Sequence, residues 1–447
     1  MGTAGLCSAC PGVTAACSGK AAMSREFRTP AASQSATHPF SRRSAFRAAA
    51  AGAALAAVST AGCTARPQNV TTQAADAVVY NPRGAIDVEA AWLPGSGGFD
   101  DLAPALDSAP NNLMSTRFIP ALKSIPRRTE AMDQHGIATM ILSMVTAGIQ
   151  AEPVPATAVN RARQLNDLLA EVVRANPGRF AALAAVPLQD PAAAAEEVRR
   201  CVTDLGMVGV LYNSYSDLAG QHSATPDTGE YDVFWSAIND ITKQRGGHFP
   251  VYLHPRQPPS NDPPYYGNVA LQGATWMYNE STAAAMLGLC FGGVFDRFPA
   301  VQVIAGHAGE GLPGYWWRSN HKGFLTRQRG NAVNLHHRLP YYLVNNFWYT
   351  TSGVFDDTFL WQLAEVIGAA GIAAKHESGS EAQITEAVRA ASHEELVTLG
   401  LPRTMFAIDD PFEDAGQATQ WLASVPMAAA DKAAFAYGTT RQLFRLT

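Results

Sequence analysis

Cysteine is scarce where a folded domain would use it. Of six cysteines, Cys7, Cys10, Cys17 and Cys63 fall in the first 80 residues, leaving only Cys201 and Cys290 for the rest. Two are too few for a disulfide framework. The Cys-x-x-Cys spacing of Cys7 and Cys10 sits in a leader-like segment and is not read as a metal site. Charge is also sparse, at 16% of residues and a net charge of -5, with no long basic run. That composition argues against nucleic acid as a partner and for a small-molecule site. No apolar run approaches the roughly 20 residues a membrane-spanning helix needs.

What the N-terminus does have is Ala, Ser and Thr, with "SRRSAFRAAAAGAALAAVSTAGC" from Ser41 to Cys63. Arg42 and Arg43 precede a short apolar segment, Ala48 to Val58, that ends in small residues, the layout of an export signal. We read residues 1–80 as an export leader and linker, with a twin-arginine signal at about 41–63. The "TAGC" ending resembles a bacterial lipoprotein box, with Thr60 where Leu is usual, which makes Cys63 a candidate for lipid attachment. The expected location is the periplasm or, lipid-anchored, the membrane surface. Met23 is an alternative start.

From residue 81 to 447 short apolar runs alternate with amphipathic stretches. The runs are 85–88, 138–145, 180–186, 207–212, 249–253, 301–305, 347–351 and 405–408. Eight near-continuous runs, without polar alternation, suit parallel strands buried on both faces. Between them lies helix punctuation, clearest in "DPAAAAEEVRRCVTDLG", where Asp190 can cap, Pro191 fits the first turn and Gly206 can stop the helix. This order predicts a (β/α)8 TIM barrel with insertions, whose chemistry sits at the carboxyl ends of the strands.

At those ends stand Glu89 after the first run, His254 after the fifth, His307 and Glu310 after the sixth, and Asp409 after the eighth. A lone His after a strand is usually a hydrogen-bonded structural residue, and a lone Asp before Pro usually a helix cap. Recurrence at one rim in four units favours function. Glu89, His254 and Asp409 suit one divalent cation, Zn²⁺ or Mn²⁺, with positions left for water or substrate. His307 and Glu310 are spaced for contact, so the carboxylate can orient the imidazole as a proton carrier.

"VEAAWLP", "PVYLHPRQPP", "IAGHAGEGLPGYWWRSNH", "YTTSGVF" and "MFAIDDPFE" together resemble the amidohydrolase superfamily. The likeness is to its decarboxylase branch, which includes the 2,3-dihydroxybenzoate, γ-resorcylate, 5-carboxyvanillate and aminocarboxymuconate-semialdehyde enzymes, and nearest to the 2,3-dihydroxybenzoate and γ-resorcylate types. It runs from about Gly84 to the C-terminus. The resemblance implies Glu89, His254 and Asp409 as metal ligands, Ala91 where a second strand-one ligand would otherwise stand, and His307 with Glu310 as a catalytic dyad. It also implies Arg318 as a candidate substrate-binding residue. Asn320 replaces the usual Asp, Trp348 a common His and Asp410 a common aromatic, departures expected on the pocket wall. A second departure is the insertion at about 375–400, read as a solvated addition whose "AQITEAVRAA" forms a surface helix.

The implied reaction is redox-neutral loss of CO₂ from a hydroxybenzoate-like acid after protonation of the ring carbon, with Asp409 delivering the proton. Hydrolysis of a lactone, ester or amide on the same metal is the alternative, and a catalytically idle binding barrel a more distant one. A dimer or tetramer is expected.

Overall fold

Each apolar run becomes a strand because both its faces are covered, one by the barrel interior and one by helices. In the computed structural model, which describes residues 79–103, 117–220, 222–257, 268–328 and 335–446, eight strands form one sheet in chain order. They are β1 (Ala85–Trp92), β2 (Ile137–Met144), β3 (Phe180–Ala185), β4 (Gly209–Asn213), β5 (Val251–His254), β6 (Val303–Ala305), β7 (Phe347–Thr350) and β8 (Thr404–Met405). All neighbouring pairs are parallel, with registers such as Val210 to Val251 and Val303 to Phe347. The ring closes through an Ala90–Asp410 bridge, where Ala91 N–H donates to Asp410 O at 2.8 Å and Asp409 N–H to Glu89 O at 3.1 Å. This is the expected (β/α)8 barrel. The twin-arginine stretch, Cys63, and Cys7 and Cys10 lie outside the described residues.

Ile86, Val88, Ile141, Leu183, Leu211, Tyr252, Ile304 and Met405 pack together inside the barrel. Burying each aliphatic side chain is worth about 1.5–3 kcal/mol, so the interior is a packed core. The eighth strand is shorter than its run because the chain after Met405 finds partners off the ladder. Phe406 N–H donates to Phe435 O at 3.0 Å, and Ile408 N–H to Asp87 Oδ1 at 2.8 Å.

Asp190 caps the helix Pro191–Thr203 by accepting from Ala193 N–H, and Gly206 follows with φ +69°. Within the insertion the helix Glu381–Ala390 appears, opened by a Ser380–Gln383 capping box. A second helix, His393–Gly400, follows, and across residues 375–400 only Ile384 and Gly400 are buried. This second helix lies so close to the helix Asp357–Lys375 that a Cβ on Gly400 would fall 1.9 Å from Ala364 O. His337–Glu377 at 2.8 Å, Arg338–Glu381 and His393–Glu365 pin the insertion further. Among the described residues no helix is long and apolar enough to cross a membrane.

Candidate metal centre

Glu89 projects from β1 with 2% of its surface exposed. Its backbone N–H donates to Asp87 Oδ1 at 3.1 Å, and that oxygen also takes Ile408 N–H, so Asp87 ties β1 to the segment after β8. Burial, reinforced by the Asp410 and Glu89 charges, holds the Asp87 carboxyl well above the usual carboxylate range despite those two N–H donors. Glu89 Oε2 accepts from the Tyr252 and Ser352 hydroxyls. Thr350 Oγ1 links that pair, 3.1 Å from Tyr252 OH and 2.8 Å from Ser352 Oγ. Gly306 permits this arrangement, since a Cβ there would sit 3.0 Å from Tyr252 OH and 3.2 Å from Glu89 Oε2.

The other oxygen, Oε1, faces two imidazoles. His254, the last residue of β5, has Nδ1 2.7 Å from Pro255 O and Nε2 3.2 Å from Glu89 Oε1. The carbonyl fixes the proton on Nδ1 and leaves the Nε2 lone pair for the site. His307 begins a left-handed turn, with φ of 50° at His307, 57° at Ala308, 69° at Gly309 and 51° at Glu310. Three of these four residues, His307, Ala308 and Glu310, are not glycine, and backbone strain of this kind clusters at functional sites. The turn folds Glu310 Oε1 back to 3.1 Å from His307 Nδ1, while His307 Nε2 points between Glu89 Oε1 at 3.7 Å and Asp409 Oδ2 at 3.5 Å. Asp409 is itself left-handed, with φ +77°.

The charges are mutually dependent. Burial would raise Glu89, but the His307 charge, the neighbouring His254 imidazole and the Ser352 hydroxyl bring it down to about 2. Burial would lower His307, yet Glu89, Glu310 and Asp409 hold it well above the usual histidine range. Asp409 is raised to about 6, chiefly by burial and the Glu89 charge, against the pull of His307.

Glu89 Oε1 and Asp409 Oδ1 are buried and accept no hydrogen bond. Two such carboxylate oxygens are costly to desolvate without a cation. One ligand atom from each of Glu89, His307 and Asp409 lies within 4.8 Å of the others, and His254 Nε2 adjoins the same Glu89 oxygen. This donor set fits a divalent ion.

The five rim residues named from sequence thus come together. Arg318 does not join them. It is exposed on the helix Leu312–Gln328 and lines a neighbouring cleft of about 690 Å³ with Trp276, Tyr315 and Glu310. The pocket at the metal centre holds about 220 Å³ between Phe118, Thr146, His254, Tyr278, His307, Asp409, Phe412 and Glu413. Nor do Trp348 and Asp410 stand on its wall, contrary to expectation. Trp348 packs against the barrel-interior cluster, its Nε1–H donating to Gln302 Oε1 at 2.9 Å with Arg403 stacked 4.4 Å over the ring. Asp410 is paired with buried Arg128 at 2.6 Å.

Tyr252, Thr350 and Ser352 were missed. Alternation along "VYLH" puts Tyr252 on the face of His254, a signal that was available. Arg256 of the "LHPR" motif is a strut: buried, 2.5 Å from Asp217 and 4.1 Å over Tyr215.

Carboxylates and imidazoles gathered at the carboxyl ends of eight parallel strands, in a set suited to a divalent ion, define a metal-binding TIM barrel. Residues 120–446 match the family model described as amidohydrolase, and the chain belongs to that family. It is 36% identical over 324 residues to a γ-resorcylate decarboxylase of Rhodococcus jostii, covering 71% of this chain and 87% of that one. Its fold is similar to that of 2,6-dihydroxybenzoate decarboxylase solved with 2,6-dihydroxybenzoate, with TM-score 0.66 and 33% identity over 81% of this chain and 99% of that one. It is likewise similar to a dihydroxybenzoic acid decarboxylase from Polaromonas solved with manganese and 2-nitroresorcinol, with TM-score 0.66 and 31% identity over 81% and 97% of the two chains.

Proposed function

We propose that this chain is a metal-dependent, non-oxidative decarboxylase of a hydroxybenzoate-like carboxylic acid. The observation that carries the reading is the meeting of Glu89, His254, His307 and Asp409 beside a ring-sized pocket walled by Phe118, Tyr278 and Phe412. Similarity to decarboxylases of γ-resorcylate and 2,6-dihydroxybenzoate supports it. Glu89, His254 and Asp409 would hold the ion. Manganese is favoured over zinc because a relative binds it. When bound, the ion supplies Lewis acidity and favours an ionised phenol.

Direct loss of CO₂ would leave an aryl carbanion, so the ring carbon bearing the carboxylate takes a proton first. Breaking the bond to the carboxylate then returns its electron pair to the ring and restores aromaticity. Asp409 is placed to deliver that proton, because its carboxylate lies 3.5 Å from His307 Nε2 and opens on the pocket. Glu310 keeps His307 oriented through Nδ1. The aromatic walls exclude water. A panel of hydroxybenzoates followed by CO₂ release tests the reading, with Asp409→Asn expected to be inactive. Turnover of esters, lactones or amides alone would replace it with the hydrolase reading.

We also infer that residues 1–80 are removed or anchored as an export leader, with the twin-arginine signal at about 41–63 and lipid on Cys63, and that the barrel of 81–447 assembles into a homo-oligomer. Arg42 and Arg43 ahead of a short apolar segment support export. Exposed Trp276, Tyr315 and Trp317 support self-association. Replacing both arginines by lysine should leave the chain in the cytoplasm, and unchanged export would reject the signal.

A further inference from the structure

Asp410 is a carboxylate at a position where the resemblance leads one to expect an aromatic, and it is 3% exposed. Its partner Arg128, on the helix Ile125–His135, is wholly buried. Arg128 Nη1 lies 2.6 Å from Asp410 Oδ2, and its Nη2 donates to Ala91 O at 2.6 Å. Ala91 N–H in turn donates to Asp410 O at 2.8 Å. One guanidinium fork therefore grips residue 91 of β1 and residue 410 beyond β8. A buried ion pair of this kind gains little for folding, since desolvation offsets the attraction, and an apolar pair of similar size often serves as well. Its value lies in direction.

What that direction controls is the seam between the two carboxylates of the metal centre. Glu89 sits two residues before Ala91, and Asp409 precedes Asp410. The seam itself carries the Asp409 N–H to Glu89 O bond of 3.1 Å, and Asp87 holds its other end by accepting from Glu89 and Ile408 N–H. Arg128 adds a clamp from a helix outside both segments, gripping Ala91 O and Asp410 Oδ2 together. Slippage here would move Glu89 and Asp409 relative to each other.

We propose that Arg128 and Asp410 are positioning residues of the metal centre, holding the β1–β8 seam in the register at which Glu89 and Asp409 face a single cation. The inference rests on the metal-site reading above. It is tested on the purified full chain, stripped of metal and titrated with Mn²⁺ against a competing chelator, alongside thermal melting of the metal-free protein.

The informative variant is the double replacement Arg128→Met with Asp410→Leu. An apolar pair should keep the metal-free melting temperature at or above that of the parent. It cannot grip Ala91 O, so Mn²⁺ affinity should fall by about 10- to 100-fold, the range seen when partners of metal ligands are removed. Parental affinity in the folded double variant would overturn the positioning role and leave the metal site intact. If the double variant does not fold, Arg128→Lys decides. It keeps the charge but cannot span Asp410 Oδ2 and Ala91 O together, so binding should weaken at least several-fold, and undiminished affinity would overturn the proposal. Absence of Mn²⁺ and Zn²⁺ binding by the parent chain would reject the metal site and the inference with it.

Discussion

Glu89→Gln should separate the two roles of this carboxylate. In the metal-free protein, its pKa falls from the ordinary 4.5 to about 2 because His307, His254 and Ser352 favour the ionised form more than burial opposes it. At about 1.4 kcal/mol for each tenfold change, that preference amounts to about 3 kcal/mol of folding stability. The sign follows from linkage. A lowered carboxyl stabilises the fold above its unfolded pKa, and the contribution disappears as pH falls from about 4.5 toward about 2. Glutamine keeps the shape and the acceptor for Tyr252 and Ser352 but carries no charge. Denaturant unfolding of chelator-treated protein at pH 7 should therefore show Glu89→Gln less stable by up to about 3 kcal/mol, with the gap narrowing below pH 4.5. Deprotonation of His307 in the variant would recover part of that loss. The same variant should bind Mn²⁺ at least 100-fold more weakly, since a neutral amide oxygen is a poor substitute for an anionic ligand. Equal stability at pH 7 together with parental Mn²⁺ affinity would refute the reasoning.

His254→Ala should strip metal, whereas His307→Ala should impair turnover more than metal content; metal analysis of both variants checks this, and the reverse order would make His307 the ligand, as its closeness to Glu89 and Asp409 also allows. Ala91→Gly should leave metal content within about twofold of the parent, because alanine offers no donor atom; a loss equal to that of Glu89→Ala would contradict the assignment. Mn²⁺ affinity should fall as pH drops below about 6, where Asp409 takes up a proton and ceases to be a good ligand, and titrations at pH 5 and 7 would show it.

The barrel was legible because parallel strands buried on both faces leave long apolar runs. All eight runs became strands, with starts such as Gly209 and Val251 two residues later than the patterns suggested. Glu89, His254, His307, Glu310 and Asp409 were legible because the fold sends every strand end to one rim. The residues that support them were harder to read. Ser352 reaches Glu89 across 263 positions of chain, and Arg128 reaches Asp410 from a helix whose pattern gave no reason to bury a charge. Such contacts depend on closure of the barrel, which local periodicity does not encode. Arg318 shows the opposite case, a motif residue whose side chain opens on the neighbouring cleft and does not line the metal pocket. Likewise, the second helix of the insertion is held by the close approach at Gly368 and Gly400, a three-dimensional fit with no sequence period.

The central claim is that the reaction forms a carbon–hydrogen bond where a carboxylate was lost, with the proton coming through an exchangeable acid such as Asp409. Turnover of a hydroxybenzoate in heavy water, with the product examined by mass spectrometry and NMR, tests it most directly. One deuterium at the carbon that carried the carboxylate, with matching release of CO₂ and neither seen in Asp409→Asn, is the expected result. Metal-dependent cleavage of an ester, lactone or amide with no CO₂ released from any hydroxybenzoate would contradict the account.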